Sequence, residues 1–247
     1  MKQLKILDII AMIISVSLFT NAIKAQQMET ANKSLSPREQ SIISISELTA
    51  TGDLDKLKTV LNTGLENGLT LNEIKEALVH SYAYCGFPRS IRGLQTFMQV
   101  MDERKAKGIN DKIGNEASKI DETGNKYERG KKILGELTQT PQPDTLSGYS
   151  AFAPTIDTFL KEHLFADIFE RDVLSYAQRE LVTVSVIAGI GKAEPMLKSH
   201  LTICLNVGLT PEKLQQYVEV LKTSLGRKKV KSVQKTLDEV LKTYQLK

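Results

Sequence analysis

Asn67-Gly68-Leu69-Thr70-Leu71-Asn72-Glu73 and Val207-Gly208-Leu209-Thr210-Pro211-Glu212 are one phrase written twice, 140 residues apart. Each copy reads as a helix stopped at Gly and a new helix capped by Thr, because Gly tolerates the left-handed turn and Thr offers an oxygen to orphan amides. The same offset pairs Gly86 with Gly226 and, allowing one gap, Arg38-Glu39 with Arg179-Glu180. A self-similar period of this kind predicts a duplicated helical unit.

Working outward, Ser36-Pro37-Arg38-Glu39 has the form of a capping box with Pro at the first helical position, leading into Ile42, Ile43, Ile45 and Leu48. Leu54, Leu57, Leu61 and Leu65 recur at three and four, the period of an amphipathic helix. Thr70-Leu71-Asn72-Glu73 repeats the capping box and opens a helix carrying Ile74, Leu78, Tyr82 and Cys85 that stops at Gly86; Pro88 restarts the chain as a helix to about Lys107. Residues 108–126 turn polar and Gly-bearing, as a linker does. A helix is expected from about Tyr127 to Leu137 and a helical pattern through Phe152, Ile156, Phe159, Leu160 and His163. Helices from Ser175 to about Ala188, Pro195 to Val207, Pro211 to Leu225 and Arg227 to Tyr244 follow. No stretch alternates as a strand. The expected architecture is all-α, with tandem units at 26–107 and 127–247.

The first residues follow a different grammar. Lys2 and Lys5 precede an apolar run from Ile9 to Phe19, then small residues at Ala22 and Ala25. This is the pattern of a secretory signal peptide over residues 1–25, and the run is shorter than the ~20 apolar residues of a bilayer span. The expected location is therefore exported, in a bacterial periplasm, with no stable membrane span once the leader is removed. Losing Lys2, Lys5, Lys24 and Asp8 lowers the formal charge from +4 to +2, too little to argue for nucleic acid. With no Trp and 6% aromatic residues, the chain is also poor in stacking platforms.

These residues, taken together, resemble the carboxymuconolactone decarboxylase family, which shares its helical fold with the alkyl hydroperoxidase D proteins. The resemblance rests on Arg38-Glu39, Asn67-Gly68-Leu69-Thr70, Ile74-Lys75-Glu76-Ala77-Leu78 and Tyr84-Cys85-Gly86-Phe87-Pro88 in the first unit. In the second it rests on Arg179-Glu180-Leu181-Val182-Thr183, His200 and Gly208-Leu209-Thr210, with Tyr127-Glu128-Arg129-Gly130 and His163 to Arg171 upstream. The peroxidase branch is similar to a thiol enzyme with Cys-x-x-Cys before the His; here that interval reads Gly191 to Leu197 without sulfur pairs. Each unit keeps what the other lacks: Val60 stands at the place of His200, and Ser224-Leu225-Gly226-Arg227-Lys228 at that of Tyr84 to Pro88.

The resemblance implies a cofactor-free, metal-free acid/base reaction on a small carboxylated or lactone substrate. It assigns His200 as proton donor and Glu180 as its orienting carboxylate, in the first turn of its helix, with Glu39 as first-unit counterpart. An imidazole suits proton transfer near neutrality. Tyr84 would steady an oxyanion and Cys85 complete a composite site; His80, Gly86 and Asp167 are substrate-binding candidates. Against these stand plainer readings: Tyr84 packs, Cys85 is inert, Cys204 is core, and His163, Asp167 and Arg171 form a surface ion-pair row. Two other functions remain open on the residues alone, a lone peroxidatic Cys85 resolved by Cys204 and a non-catalytic helical assembly module. A homo-oligomer is expected, with a trimer as the natural form for a two-unit chain.

Overall fold

The computed structural model describes residues 33–121 and 123–246; the leader expected at 1–25 lies outside the described residues. Among the described residues the chain is helical without strands. In order the helices are α1 (Pro37–Thr51), α2 (Leu54–Glu66), α3 (Leu71–Ala106), α4 (Lys126–Thr138), α5 (Gly148–Phe152) and α6 (Pro154–Thr158). A π-helical segment (Phe159–Phe169) follows, then α7 (Tyr176–Ile190), α8 (Glu194–Asn206), α9 (Pro211–Leu221) and α10 (Arg227–Tyr244).

Local signals set these boundaries. Ser36 and Thr70 both cap their helices, and Glu39 and Glu73 return the favour to the capping backbone amides. Within α3, Gly86 adopts φ 78°, ψ 162°, a conformation open to glycine and not to a residue with a Cβ, so the chain turns sharply there. The Ser90 hydroxyl donates to the Leu78 carbonyl at 2.7 Å and closes the turn. The polar linker is less free than its composition suggests: the Leu71 and Asn72 amides donate to the carbonyls of Lys112 and Ile113, so it satisfies the first amides of α3.

The duplication is visible in the caps. Ser36 and Ser175 both head a capping box, and Gly52 and Gly191 both end a helix with positive φ, so α1 matches α7 at an offset of 139. Beyond them α2 matches α8, and the halves of α3 match α9 and α10, at 140. This corrects the pairing of Arg38-Glu39 with Arg179-Glu180. Glu39 matches Gln178, the reciprocal capping residue of α7, while Glu180 matches Ser41. Glu39 is a cap tied to Lys213, and Glu180 lies one turn further into its helix than the first turn expected for it.

Helices α1 and α7 pack together at the centre, α3 leans on α7 and α9 on α1. Nearly every residue from Ser41 to Ala50 and from Arg179 to Gly189 is buried, the mark of helices enclosed on all sides. Ile42, Ile43, Ile45 and Leu48 share one core with Leu181, Val182, Val184 and Val186, each contributing about 1.5–3 kcal/mol of burial before entropy is counted. A second cluster joins Leu137, Phe165, Phe169 and Ile203 where α4 and the π-helical segment meet α8. Gly130 makes that meeting possible: a Cβ there would lie 1.7 Å from the Lys161 carbonyl oxygen. Beside it buried Lys161 donates to Asp157 at 2.7 Å and to the Tyr127 hydroxyl at 2.8 Å. Among the described residues no helix is long and apolar enough to cross a membrane.

Candidate active site

Glu76, His80 and Tyr84 stand four apart on α3 and so face one way. They meet Arg179, Glu180 and Thr183 of the enclosed helix α7, whose polar side chains must find partners inside the protein. Arg179 donates to Glu76 Oε1 at 2.7 Å, and Arg171 grips the same carboxylate through Nε and Nη2 at 2.9 Å each. Burial alone would raise the Glu76 pKa; the hydrogen bonds from Arg171 and Arg179 outweigh it and hold the group below the ordinary carboxylate value.

Arg179 also fixes the state of His80. Its Nη1 sits 3.2 Å from His80 Nδ1, and since a guanidinium can only donate, Nδ1 must accept. The ring proton is then on Nε2 and is given to Thr183 Oγ1 at 2.9 Å. Burial first, then the charges of Arg179 and His200, push the His80 pKa well below the usual imidazole value, so this ring is neutral. His80 supports its neighbours through Thr183 and by ring contact with Tyr84 at 5.5 Å.

His200, on α8, pairs with Glu180 and keeps a small exposed face. Its Nδ1 lies 2.9 Å from Glu180 Oε2; its side chain is 14% exposed, while that of Glu180 is wholly enclosed. A carboxylate accepts, so Nδ1 donates and Nε2 is left for a ligand. Tyr84 stands edge-on to the His200 ring at 5.7 Å and 85°. Its hydroxyl is buried beside Thr183 without a well-formed hydrogen bond. Burial, and next the charge of Glu180, hold the phenol far above its usual pKa, so it is a donor and not a phenolate.

Four buried side-chain polar atoms lack a partner among the described residues, and Tyr84 Oη, Glu180 Oε1 and Arg179 Nε are three of them. Buried polar groups are nearly always satisfied, so this concentration in one grouping marks a place where stability is given up.

The structure thus brings together four of the sequence candidates, His200, Glu180, Tyr84 and His80. It does not bring Cys85 to them. The Cys85 thiol donates to the Ser81 carbonyl and opens onto a different cavity, with Arg89 and Lys229, because Cys85 follows Tyr84 by one residue and points about 100° away around the helix. Gly86 contributes the turn. Asp167 is held on the surface by Lys126 at 2.7 Å and His163 at 2.9 Å. The expected row of His163, Asp167 and Arg171 stops at its second member, since Arg171 turns inward to Glu76. Sequence reasoning missed the supporting parts Glu76, Arg179 and Thr183; the i, i+4, i+8 spacing of Glu76, His80 and Tyr84 was the available signal.

A paired His and Glu beside an unpartnered phenol, in a duplicated helical fold, define a compact acid/base grouping without sulfur pairs. The chain belongs to the carboxymuconolactone decarboxylase family, whose model matches it twice, over residues 18–97 and 154–229. Among curated proteins it is similar to the 4-carboxymuconolactone decarboxylase of Acinetobacter baylyi, with 24% identity over 94 residues, 38% of this chain and 69% of that one.

Proposed function

We propose that this protein is a cofactor-free carboxy-lyase acting on a small carboxylated lactone, the substrate class in the name of its Acinetobacter relative. The observation that carries the reading is the hydrogen bond from His200 Nδ1 to enclosed Glu180, which leaves Nε2 of a partly exposed ring without a partner in the protein. Loss of carbon dioxide breaks a carbon–carbon bond and sends its electron pair into the conjugated lactone as a dienolate. The Tyr84 hydroxyl donates to the developing oxyanion, a role suited to a buried donor with no competing partner. His200, held through Nδ1 by Glu180, delivers a proton from Nε2 to carbon and takes one back from water. Arg179, Glu76 and His80 hold Thr183 and Tyr84 in place and take no part in proton transfer.

The test is carbon dioxide release from 4-carboxymuconolactone and related carboxylated lactones by the wild type and by His200→Gln. Turnover abolished by the substitution in a folded protein supports the reading; undiminished turnover removes it. The thiol alternative has less support: burial pushes the Cys85 pKa up to about 11 and that of Cys204 well above its usual value, so neither is a ready thiolate.

Two further parts of the proposal concern the whole protein. Export to the periplasm rests on the pattern of residues 1–25 and is tested by cell fractionation. Self-association, with a trimer expected, is supported by exposed Phe87, Ile91 and Met98 along one side of α3, and is tested by light scattering.

A further inference from the structure

Away from the His200 grouping, the end of α7 and the start of α10 enclose a half-open cavity of about 260 Å³. Its floor is apolar, made by Ile187, Leu197 and Val233, and its rim carries Lys192, Lys228 and Lys229. Lys229 is committed, donating to the Gly189 carbonyl. Lys192 and Lys228 are exposed, and their side chains make no hydrogen bond or ion pair within the described structure. The rim's one carboxylate, Glu194, accepts a hydrogen bond from Ser232 at 2.8 Å.

The surroundings deepen the positive field. Helix α10 is capped by Gly226, which offers no side chain, has no acidic residue in its first turn, and places Arg227, Lys228 and Lys229 at its positive end. Cations there are opposed by the helix dipole, so the arrangement is relieved by an anion. A neighbouring cavity shares Ile190 and Lys229 and adds Arg89, whose side chain makes no hydrogen bond or ion pair within the described structure. The volume lies just under the roughly 300–1,000 Å³ of sites for drug-sized ligands, so a smaller molecule fits.

We propose that this cavity binds a small amphipathic carboxylate, its apolar body on Ile187, Leu197 and Val233 and its carboxylate between Lys192 and Lys228. The site is separate from the His200 grouping, and its ligand need not be the substrate.

The experiment is calorimetric titration of the full chain with octanoate below its micelle concentration, with acetate and octylammonium as controls. Saturable binding of one octanoate per chain is expected, with neither control binding, because the site needs both the apolar body and the negative head. The double variant Lys192→Asn/Lys228→Gln should bind about tenfold more weakly or worse. Asn is chosen because Lys192 has φ 58°, a conformation Asn accepts. His200→Gln should leave the affinity unchanged. Absence of octanoate binding, equal binding of octylammonium, full affinity in the lysine double variant, or loss of binding in His200→Gln would each overturn the assignment.

Discussion

Arg179 Nη1 and His80 Nδ1 lie 3.2 Å apart in the buried centre, and that contact decides where the imidazole proton resides. A neutral His80 in the native protein, facing Arg179, His200 and Tyr84, is a base that can take up a proton only on unfolding.

The pH dependence of stability follows from this. The folded pKa is depressed, so the stabilising contribution is complete above the unfolded value of about 6.5 and is lost as pH falls below it, at up to about 1.4 kcal/mol per pH unit. Glu47, whose pKa burial raises, contributes with the opposite sign at higher pH than the unfolded carboxylate value. Comparing urea unfolding of wild type and His80→Gln between pH 7.5 and about 5.5 cancels Glu47 and isolates His80. The variant should show the shallower slope; equal slopes would mean that His80 takes up its proton at the same pH in the folded and unfolded chain.

Tyr84→Phe separates function from folding. The hydroxyl has no good partner, so its removal should change unfolding free energy by less than about 1 kcal/mol or even stabilise. Turnover should fall by about 10²-fold if the phenol donates to an oxyanion. A variant that keeps full turnover would assign Tyr84 to packing.

Replacing Glu76 by Ala strands Arg179 and should destabilise the fold by about 3 kcal/mol or more, read by urea titration. Wild-type stability should also drop in acid. The folded pKa of Glu76 is lowered, so its contribution is present above the unfolded carboxylate value and disappears as pH falls through the folded one.

Gly130→Ala should cost about 2–3 kcal/mol or prevent folding, since the new methyl would meet the Lys161 carbonyl backbone. A melting temperature near wild type would show that the π-helical segment yields.

Thiol titration of the native protein after peroxide should find the same free thiol as before it. Cys204 is fully buried and Cys85 has a pKa of about 11, so both are poor nucleophiles near neutrality. Loss of two thiols per chain would restore the redox reading.

Much of this architecture was legible because capping boxes and Gly stops are local chemistry: Ser36, Thr70, Gly68 and Gly86 act within three or four residues of themselves. The pairing of His200 with Glu180 was legible through the resemblance to a family motif. The rest depended on tertiary packing. The alignment of α1 with α7 slipped because Arg-Glu is a weak letter match, whereas the register is fixed by the capping pairs Ser36/Glu39 and Ser175/Gln178, equivalent in role but different in letters. Glu76 was passed over because a Glu on a surface-like helix pattern gives no sign that two arginines close on it. Phe159 to Phe169 reads as ordinary helix, since a widened π turn leaves little trace in hydrophobic spacing.

Positions equivalent to Arg179, Glu180, Thr183 and His200 hold Gln40, Ser41, Ser44 and Val60. Two identical chains related by symmetry would carry every residue of a site in duplicate, whereas fusion into one chain lets the copies drift apart. A substrate bound at His200 as proposed is therefore counted once per two helical units, where a symmetric pair of one-unit chains would hold two.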